Sequence, residues 1–213
     1  LKKQPADSII GLSALFNADP RHEKIDLGVG VYKDAQGNTP IMRSIKEAES
    51  RLWKAESTKT YTAMTGDSGF HNAMANLVLA ESVDRDRLSF CATPGGTGAI
   101  HHVLELVKLT ASNPKIWFSD PTWGNHLTIA KHLNMSVGKY SYFNNKTRAV
   151  DFEAMVSDLS SISNGDIVVL HGCCHNPTGA NLTKEQWNII AELLLEKDAI
   201  PFIDIAYQGF GEG

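Results

Sequence analysis

Cysteine is scarce in this chain of 213 residues, which contains only three, two of them adjacent at positions 173 and 174. So few thiols do not make a disulfide framework, and they favour a reducing, cytoplasmic location. Long hydrophobic runs are missing too: the apolar run at 167–170 is far too short to cross a bilayer, so no membrane partner is expected. The polar residues that follow the first three positions also predict no signal peptide.

A large excess of charge of one sign is absent as well. The formal net charge is −4 and acidic residues are mixed with basic ones, so no basic patch predicts binding to nucleic acid. Hydrophobic residues make up 42% of the chain and charged residues 21%, which is typical of globular proteins. The length suffices for one sizeable domain, or for one domain and part of another.

Strand-like and helical patterns alternate along most of the chain. Short apolar runs of strand length are followed by helical patterns of nine or more residues in several places. Strands are predicted at 116–119, 137–143, 167–171 and 201–206, and helices at 95–109, 125–133, from 152, and 184–197. This alternation predicts an α/β fold with a mostly parallel sheet and helices on both faces, incomplete at its C-terminal end.

Three segments are expected along the chain. Residues 1–12 have weak periodicity and are predicted to form an extended N-terminal arm. Residues 13–40 are assigned to the N-terminal part of a smaller domain, and residues 41–213 to the first part of a large domain that binds the ligand.

Two blocks near the C-terminal end carry the most specific chemistry. H-G-C-C-H-N-P-T-G (171–179) and P-F-I-D-I-A-Y-Q-G-F (201–210) flank one amphipathic helix. Strands joined through a helix run parallel, so Asn176, Asp204 and Tyr207 are expected at one sheet edge, where open α/β folds bind ligands. An amide, a poorly solvated carboxylate and a phenol suit a protonated heteroaromatic ring that carries a phenolate. Pyridoxal 5′-phosphate (PLP) is such a group.

The same two blocks closely resemble the aspartate and aromatic amino-acid aminotransferases of PLP-dependent fold type I. The similarity runs from Asp7 to the last residue. It implies transamination between an acidic or aromatic L-amino acid (aspartate, tyrosine or phenylalanine) and 2-oxoglutarate. The family's Schiff-base lysine, in an S-x-S-K-x-x-G motif, is absent from this sequence. We therefore expect the N-terminal portion of such an enzyme, inactive by itself.

Two other interpretations of the chain stay open. One is a non-catalytic fragment of such an enzyme that binds PLP weakly at most. The other is an unrelated α/β protein that binds a nucleotide or another phosphate.

Gly95, Gly96 and Thr97 are the candidate phosphate site. They lie where a turn becomes a helix, and the free N–H groups of a helix N-terminus attract anions. A G-G-T-G run is also typical of an ordinary tight turn. The resemblance implies that these three residues bind the phosphate of PLP.

The resemblance assigns further roles around the ring of the cofactor. Asp204 pairs with the pyridine nitrogen and His126 holds that aspartate, while Tyr207 and Asn176 donate to the ring oxygen. From the residues alone, Asp204 is equally a helix cap or half of an ion pair, and Asn176 part of an Asn-Pro turn. Trp123 is implied to stack on the ring and, with Asn176, to contact the substrate carboxylate, although a lone Trp is commonly a core residue.

Two earlier residues are assigned by resemblance alone. Gly30 offers its backbone to the substrate, and Tyr61 reaches the PLP phosphate of the opposite subunit, which implies a homodimer with shared active sites. An ordinary glycine turn and an ordinary surface tyrosine remain the alternatives.

No metal site is expected. The four potential ligands at 171–175 are close in sequence, but consecutive strand residues point to opposite faces, whereas a structural zinc ion needs four converging ligands.

Overall fold

The computed structural model describes residues 8–26, 28, 30–110 and 113–211, with the backbone alone at 8–10. The contacts within the chain divide it into two compact units, Leu1–Tyr61 and Thr62–Gly213. This division falls later in the sequence than the predicted end of the small-domain segment at residue 40. The assignment of the three segments to domains stays a prediction.

The first unit contains two helices, α1 (Ser8–Ala18) and α2 (Arg43–Ala55). Helix α1 begins inside the segment predicted to be an extended arm, so that prediction is wrong from Ser8 onwards. Leucine and alanine, which favour helix, recur through this segment, and their propensity outweighs its weak periodicity. The rest of the predicted arm, residues 1–7, lies outside the described residues.

The second unit alternates helices with strands. Its helices are α3 (Ser68–Leu79), α4 (Gly95–Thr110), α5 (Gly124–His132), α6 (Phe152–Leu159) and α7 (Lys184–Glu196). Its strands are β1 (Lys115–Asp120), β2 (Ser136–Ser141), β3 (Phe143–Asn144), β4 (Ala149–Val150), β5 (Ile167–His171) and β6 (Ile200–Asp204).

Four of these strands form one parallel sheet in the order β2-β1-β5-β6, while β3 and β4 form a small antiparallel pair. The single strand predicted at 137–143 is thus divided between β2 and β3. The register pairs His171, the last residue of β5, with Asp204, the last residue of β6. Both blocks of the sequence therefore leave the sheet at the same edge.

The sheet has a hydrophobic core on each face, because successive side chains of a strand point to opposite sides. In β1, Ile116 and Phe118 pack with α4 and α5, whereas Trp117 packs with α6 and α7 on the other face. All five residues of β5 are buried, as expected for a central parallel strand. The predicted α/β fold, a parallel sheet between two layers of helices, is confirmed.

Helix starts follow the expected capping rules. The side chain of Asp151 accepts a hydrogen bond from the Ala154 N–H at the start of α6. Thr183 and Gln186 form the predicted capping box of α7, in which each side chain binds the other residue's backbone N–H. Among the helices that the structure describes, none has the length and apolar character needed to span a membrane.

Candidate active site

A cavity of about 280 Å³ opens at the carboxyl edge of the parallel sheet. Six of the residues predicted from the sequence line it: Gly96, Thr97, Trp123, Asn176, Asp204 and Tyr207. They come from the start of α4, the loop before α5, the loop after β5 and the end of β6. His171, Cys174 and Ala206 complete the lining. Sequence reasoning had not assigned these three to the site.

The proposed phosphate site lies at the N-terminus of α4. Gly95 begins the helix with a φ of +69°, a value that glycine adopts without strain. Gly96 and Thr97 line the cavity, whereas Gly95 does not. A Cβ atom built on Gly96 would meet nothing within 4 Å, so the space beside this backbone is open. The helix N-terminus therefore faces a space in which an anion would be favoured.

Asp204 is held by a buried histidine. The Nε2 atom of His126 lies 2.9 Å from Oδ2 of Asp204, and the His126 side chain is fully buried. Phe118 stacks on the imidazole from the core side, with ring centroids 5.5 Å apart, and Trp123 meets it edge-on at 5.4 Å. These contacts fix the imidazole, and with it the carboxylate that faces the cavity.

Hydrogen bonds link His171 to His126 through Thr122. When His126 and His171 are both neutral, these bonds have only one consistent direction. The backbone N–H of Asn176 donates to Nδ1 of His171 (3.2 Å), so the proton of that ring is on Nε2. This proton is donated to Oγ1 of Thr122 (3.2 Å), whose hydroxyl in turn donates to Nδ1 of His126 (2.8 Å). His126 is then left with a proton on Nε2, which it donates to Asp204.

The electrostatics favour the neutral form of His171. Burial, reinforced by the nearby His126 and partly opposed by Asp204, lowers the pKa of His171 to about 4. Burial likewise lowers the pKa of His175 to about 3. The rings of His171 and His175 are therefore neutral near pH 7. The sequence alone does not predict Thr122 and His171 as functional residues. The only sequence signal for Thr122 is its spacing of four residues before His126.

A second set of hydrogen bonds fixes the loop that follows β5. The Ser119 hydroxyl donates to the carbonyl of Pro121 (2.8 Å) and lies 3.0 Å from Nε2 of His175. On the other side of the ring, Nδ1 lies 2.8 Å from Oγ1 of Thr178. Tyr142 stacks on the same imidazole with centroids 3.9 Å apart. His175 thus anchors the loop that carries Asn176 into the cavity.

The amide and the phenol predicted to act together are neighbours. Nδ2 of Asn176 lies 3.4 Å from the hydroxyl oxygen of Tyr207, at the long end of the hydrogen-bond range. The backbone N–H of Tyr207 donates to the carbonyl of Cys173 (3.0 Å), which ties the end of β6 to the loop after β5. Two side chains that can donate hydrogen bonds therefore stand side by side at the cavity wall.

Two predicted site residues belong to the other unit. Gly30 and Tyr61 lie in Leu1–Tyr61, so the cavity of the second unit does not test them and their roles stay predictions. In the described ranges no group of three or more histidine, cysteine, aspartate or glutamate side chains could hold a metal ion.

The fold and the cavity together define a class of protein. A parallel α/β sheet presents a helix N-terminus, a histidine-held carboxylate, an amide and a phenol around one space at its carboxyl edge. The family model "Aminotransferase class I and II" matches residues 22–213, and the chain belongs to this family. Within it, the chain falls among the aspartate and aromatic aminotransferases.

Individual relatives agree with this placement. The chain is 50% identical over its whole length to an aromatic-amino-acid aminotransferase of Paracoccus denitrificans and 42% identical to an aspartate aminotransferase of Haemophilus influenzae, covering 54% of each. A solved aromatic-amino-acid aminotransferase of Burkholderia pseudomallei, covalently bound to pyridoxal phosphate, matches with a TM-score of 0.93 at 36% identity. The match covers the whole of this chain and 54% of the Burkholderia pseudomallei chain. The chain thus spans about half the length of the relatives it matches.

Proposed function

We propose that the protein to which this chain belongs is a PLP-dependent aminotransferase. It transfers an amino group between an acidic or aromatic L-amino acid (aspartate, tyrosine or phenylalanine) and 2-oxoglutarate. The observation that carries the proposal is the Asp204 carboxylate, held at 2.9 Å by the buried His126 and facing a cavity that Gly96 and Thr97 also line. The relatives in both substrate groups support the range of substrates.

The donors and acceptors around the cavity fit PLP. Thr97 and the backbone of Gly96, which line the cavity, would hold the phosphate together with the adjacent backbone of Gly95 at the N-terminus of α4, where the helix dipole favours negative charge. Asp204 would pair with the pyridine nitrogen, and Tyr207 with Asn176 would donate to the ring oxygen. When bound, the cofactor supplies an electron sink for the negative charge left on an amino acid that loses its Cα proton.

Each side chain has a physical task in this arrangement. His126 donates from Nε2, so Asp204 keeps its role as an acceptor and holds a proton on the pyridine nitrogen. Tyr207 and Asn176 stabilise negative charge on the ring oxygen by hydrogen bonding. Trp123 covers the ring and keeps water out, and with Asn176 it contacts the substrate carboxylate.

The 213 residues by themselves are proposed to bind PLP without covalent attachment and without turnover. No lysine is among the described residues that line the cavity. We therefore propose activity for the whole protein only. This chain spans about half the length of the relatives it matches.

The protein is further proposed to be a cytoplasmic homodimer. Tyr61 would reach the PLP phosphate of the opposite subunit, and Gly30 would offer its backbone to the substrate. The Tyr61 side chain is fully exposed in the chain, in keeping with a contact made to another subunit. The three thiols are unpaired, which agrees with a reducing compartment. Sedimentation of the whole protein tests the dimer, and a Tyr61→Phe variant with weaker PLP binding tests the shared site.

A titration of PLP into the protein, followed by absorbance, tests the function. Asp204→Ala is expected to weaken PLP binding by about 100-fold, because a buried cation loses its partner. The matched control is Asp120→Ala, which removes another carboxylate from a strand end, but an exposed one that pairs with Lys139. Equal affinity in the Asp204 variant and the wild type would contradict the proposal.

Two measurements on the whole protein complete the test. After borohydride reduction, intact mass should increase by one pyridoxyl group per chain. Amino transfer from aspartate and from tyrosine to 2-oxoglutarate is then compared directly. Reduction without a mass increase, together with no transfer from either amino acid, would contradict the proposed activity and leave a non-catalytic protein of the same fold or another phosphate-binding α/β protein.

A further inference from the structure

Two thiols stand beside the cavity, and the proposed reaction uses neither. Cys174 lines the cavity together with Asn176 and Tyr207. The sulfur atom of Cys173 lies 3.6 Å from that of Cys174, and both residues are half-buried. Two thiols this close can be bridged by a single atom without rearrangement of the fold.

The surroundings keep the two sulfur atoms together and leave space beside them. The Cys173 thiol donates to the backbone carbonyl of Tyr207, with 3.4 Å between sulfur and oxygen. A Cβ atom on Gly211 would lie 2.7 Å from the sulfur of Cys173, so a larger residue there would crowd this thiol, whereas the 3.8 Å to the sulfur of Cys174 is an ordinary contact. The pair is thus a defined feature of the cavity wall.

The ligand class follows from what the thiols lack. The described residues offer no third metal-ligating side chain in a group with them, whereas a structural zinc ion requires four ligands. Burial and the neighbouring Cys173 raise the pKa of the Cys174 thiol, which disfavours the thiolate needed to bind most metal ions. A thiophilic centre that brings its own third substituent suits two neighbouring thiols better.

We propose that Cys173 and Cys174 form a dithiol site for trivalent organoarsenicals. In the reaction, an arsenic–oxygen double bond and two S–H bonds break, two arsenic–sulfur bonds form, and the oxygen leaves as water with both protons. Arsenic stays trivalent and both sulfur atoms keep their oxidation state, so neither an oxidant nor a reductant is needed.

The position of the pair has a consequence for the cofactor. An aryl group on arsenic bound to Cys174 would extend into the space that Asp204 and Tyr207 also line. Capture of the arsenical and binding of PLP should therefore exclude each other. This consequence, unlike the dithiol site itself, rests on the proposed function.

Phenylarsine oxide is the probe that tests the site. One equivalent should protect Cys173 and Cys174 of the wild-type protein from alkylation while the exposed Cys91 still reacts. A dithiol such as 2,3-dimercaptopropanol should reverse the protection, and a monothiol at the same concentration should not. Alkylation of both cysteines at the untreated rate would overturn the site, and no variant is needed to see it.

Single substitutions sharpen the test. Because a second thiol in the same chain acts at high effective concentration, Cys173→Ser and Cys174→Ser should each weaken capture by about 100-fold. Cys91→Ser is the matched control and should bind the arsenical like the wild type. Unchanged capture by either member of the pair alone would overturn a two-thiol site.

Competition separates this inference from the proposed function. Prior saturation with PLP should slow capture at least about tenfold if the aryl group and the cofactor share the cavity. If bound PLP did not slow capture, the arsenical and the cofactor would not share the cavity. The alkylation pattern would still support the dithiol site. A protein that binds no PLP but shows the protection pattern would contradict the proposed function alone.

Discussion

The two units of the chain differ sharply in how they bury apolar surface. All of the fully buried hydrophobic side chains among the described residues belong to the second unit, where they form a core on each face of the sheet. In the first unit, the side chains of Leu52 and Trp53 on α2 are 64% and 79% exposed. Burial of apolar surface is the dominant stabilising term in folding. The second unit therefore supplies the rigidity that a cofactor site needs.

The largest expected effect uses the same substitution in both units. Leu104→Ala removes a fully buried side chain of α4 and should lower the free energy of unfolding by about 2–5 kcal/mol, since it loses apolar burial and leaves a cavity. Leu52→Ala, on the exposed face of α2, should change it by about 0.5 kcal/mol or less. Urea denaturation followed by circular dichroism measures both. Losses of equal size would show that the two units do not differ in this way.

Acidification should weaken the second unit through its buried histidines. Above pH 6.5 the imidazole of His171 is neutral in the folded and the unfolded chain, so it contributes no pH dependence. Below that pH the unfolded chain takes up a proton, whereas the folded one does not until about pH 4. The free energy of unfolding should therefore fall by about 1.4 kcal/mol per pH unit for this residue. The lowered pKa of His175 adds a change of the same sign.

Denaturation between pH 5 and pH 7 measures this slope, in a range above the ordinary pKa of carboxyl groups. His171→Asn should reduce the slope, whatever it does to stability at pH 7. His132→Asn is the control, because that imidazole lies on the exposed end of α5. If the His171→Asn variant kept the same pH dependence of the free energy of unfolding, His171 would not be its source.

A smaller effect is expected from the hydroxyl between His171 and His126. Thr122→Val keeps the shape of the side chain but leaves Nδ1 of His126 and Nε2 of His171 without this partner, at a cost of about 1–3 kcal/mol. It should also weaken PLP binding, since His126 is then free to adopt the other tautomer and stop donating to Asp204. Thr128→Val is the matched control, because that exposed hydroxyl bonds only to the backbone of its own helix. Equal PLP affinity in the two variants would contradict the direction assigned to the hydrogen bonds from His171 through Thr122 to His126.

The four strands of the parallel sheet are predicted from the sequence because their signals are local, although the strands predicted to end at 143 and 206 end at Ser141 and Asp204. An apolar run such as 167–171 predicts a buried strand, and the residue at its end then has a predictable position at the sheet edge. The same reasoning brought Asn176, Asp204 and Tyr207 to one edge, and the structure places all three around one cavity. Their chemical roles stay predictions.

What the sequence could not provide are contacts between residues far apart in the chain. Thr122 and His171 are 49 positions apart, and neither lies in a local pattern that links it to Asp204. The extended conformation predicted for the start of the chain is wrong from Ser8 onwards for another reason: weak periodicity does not indicate a helix, although the propensity of these residues favours one. Gly30 and Tyr61 depend on the first unit, where no described core fixes their surroundings.

The smallest effect compares helix starts in the two units. Helix α7 is preceded by Thr183 with its capping box, whereas the N-cap residue of α2 is Met42, whose side chain makes no capping hydrogen bond. Thr183→Ala should lower the free energy of unfolding by about 1 kcal/mol, because an N–H at the helix start loses its acceptor. Met42→Asp should raise the stability of α2 by about 0.5–1 kcal/mol, since it adds both a cap and a negative charge near the helix N-terminus. Thermal unfolding followed by circular dichroism in the far ultraviolet measures each change. If Met42→Asp gave no gain while Thr183→Ala gave the expected loss, the start of α2 would be limited by something other than its missing cap.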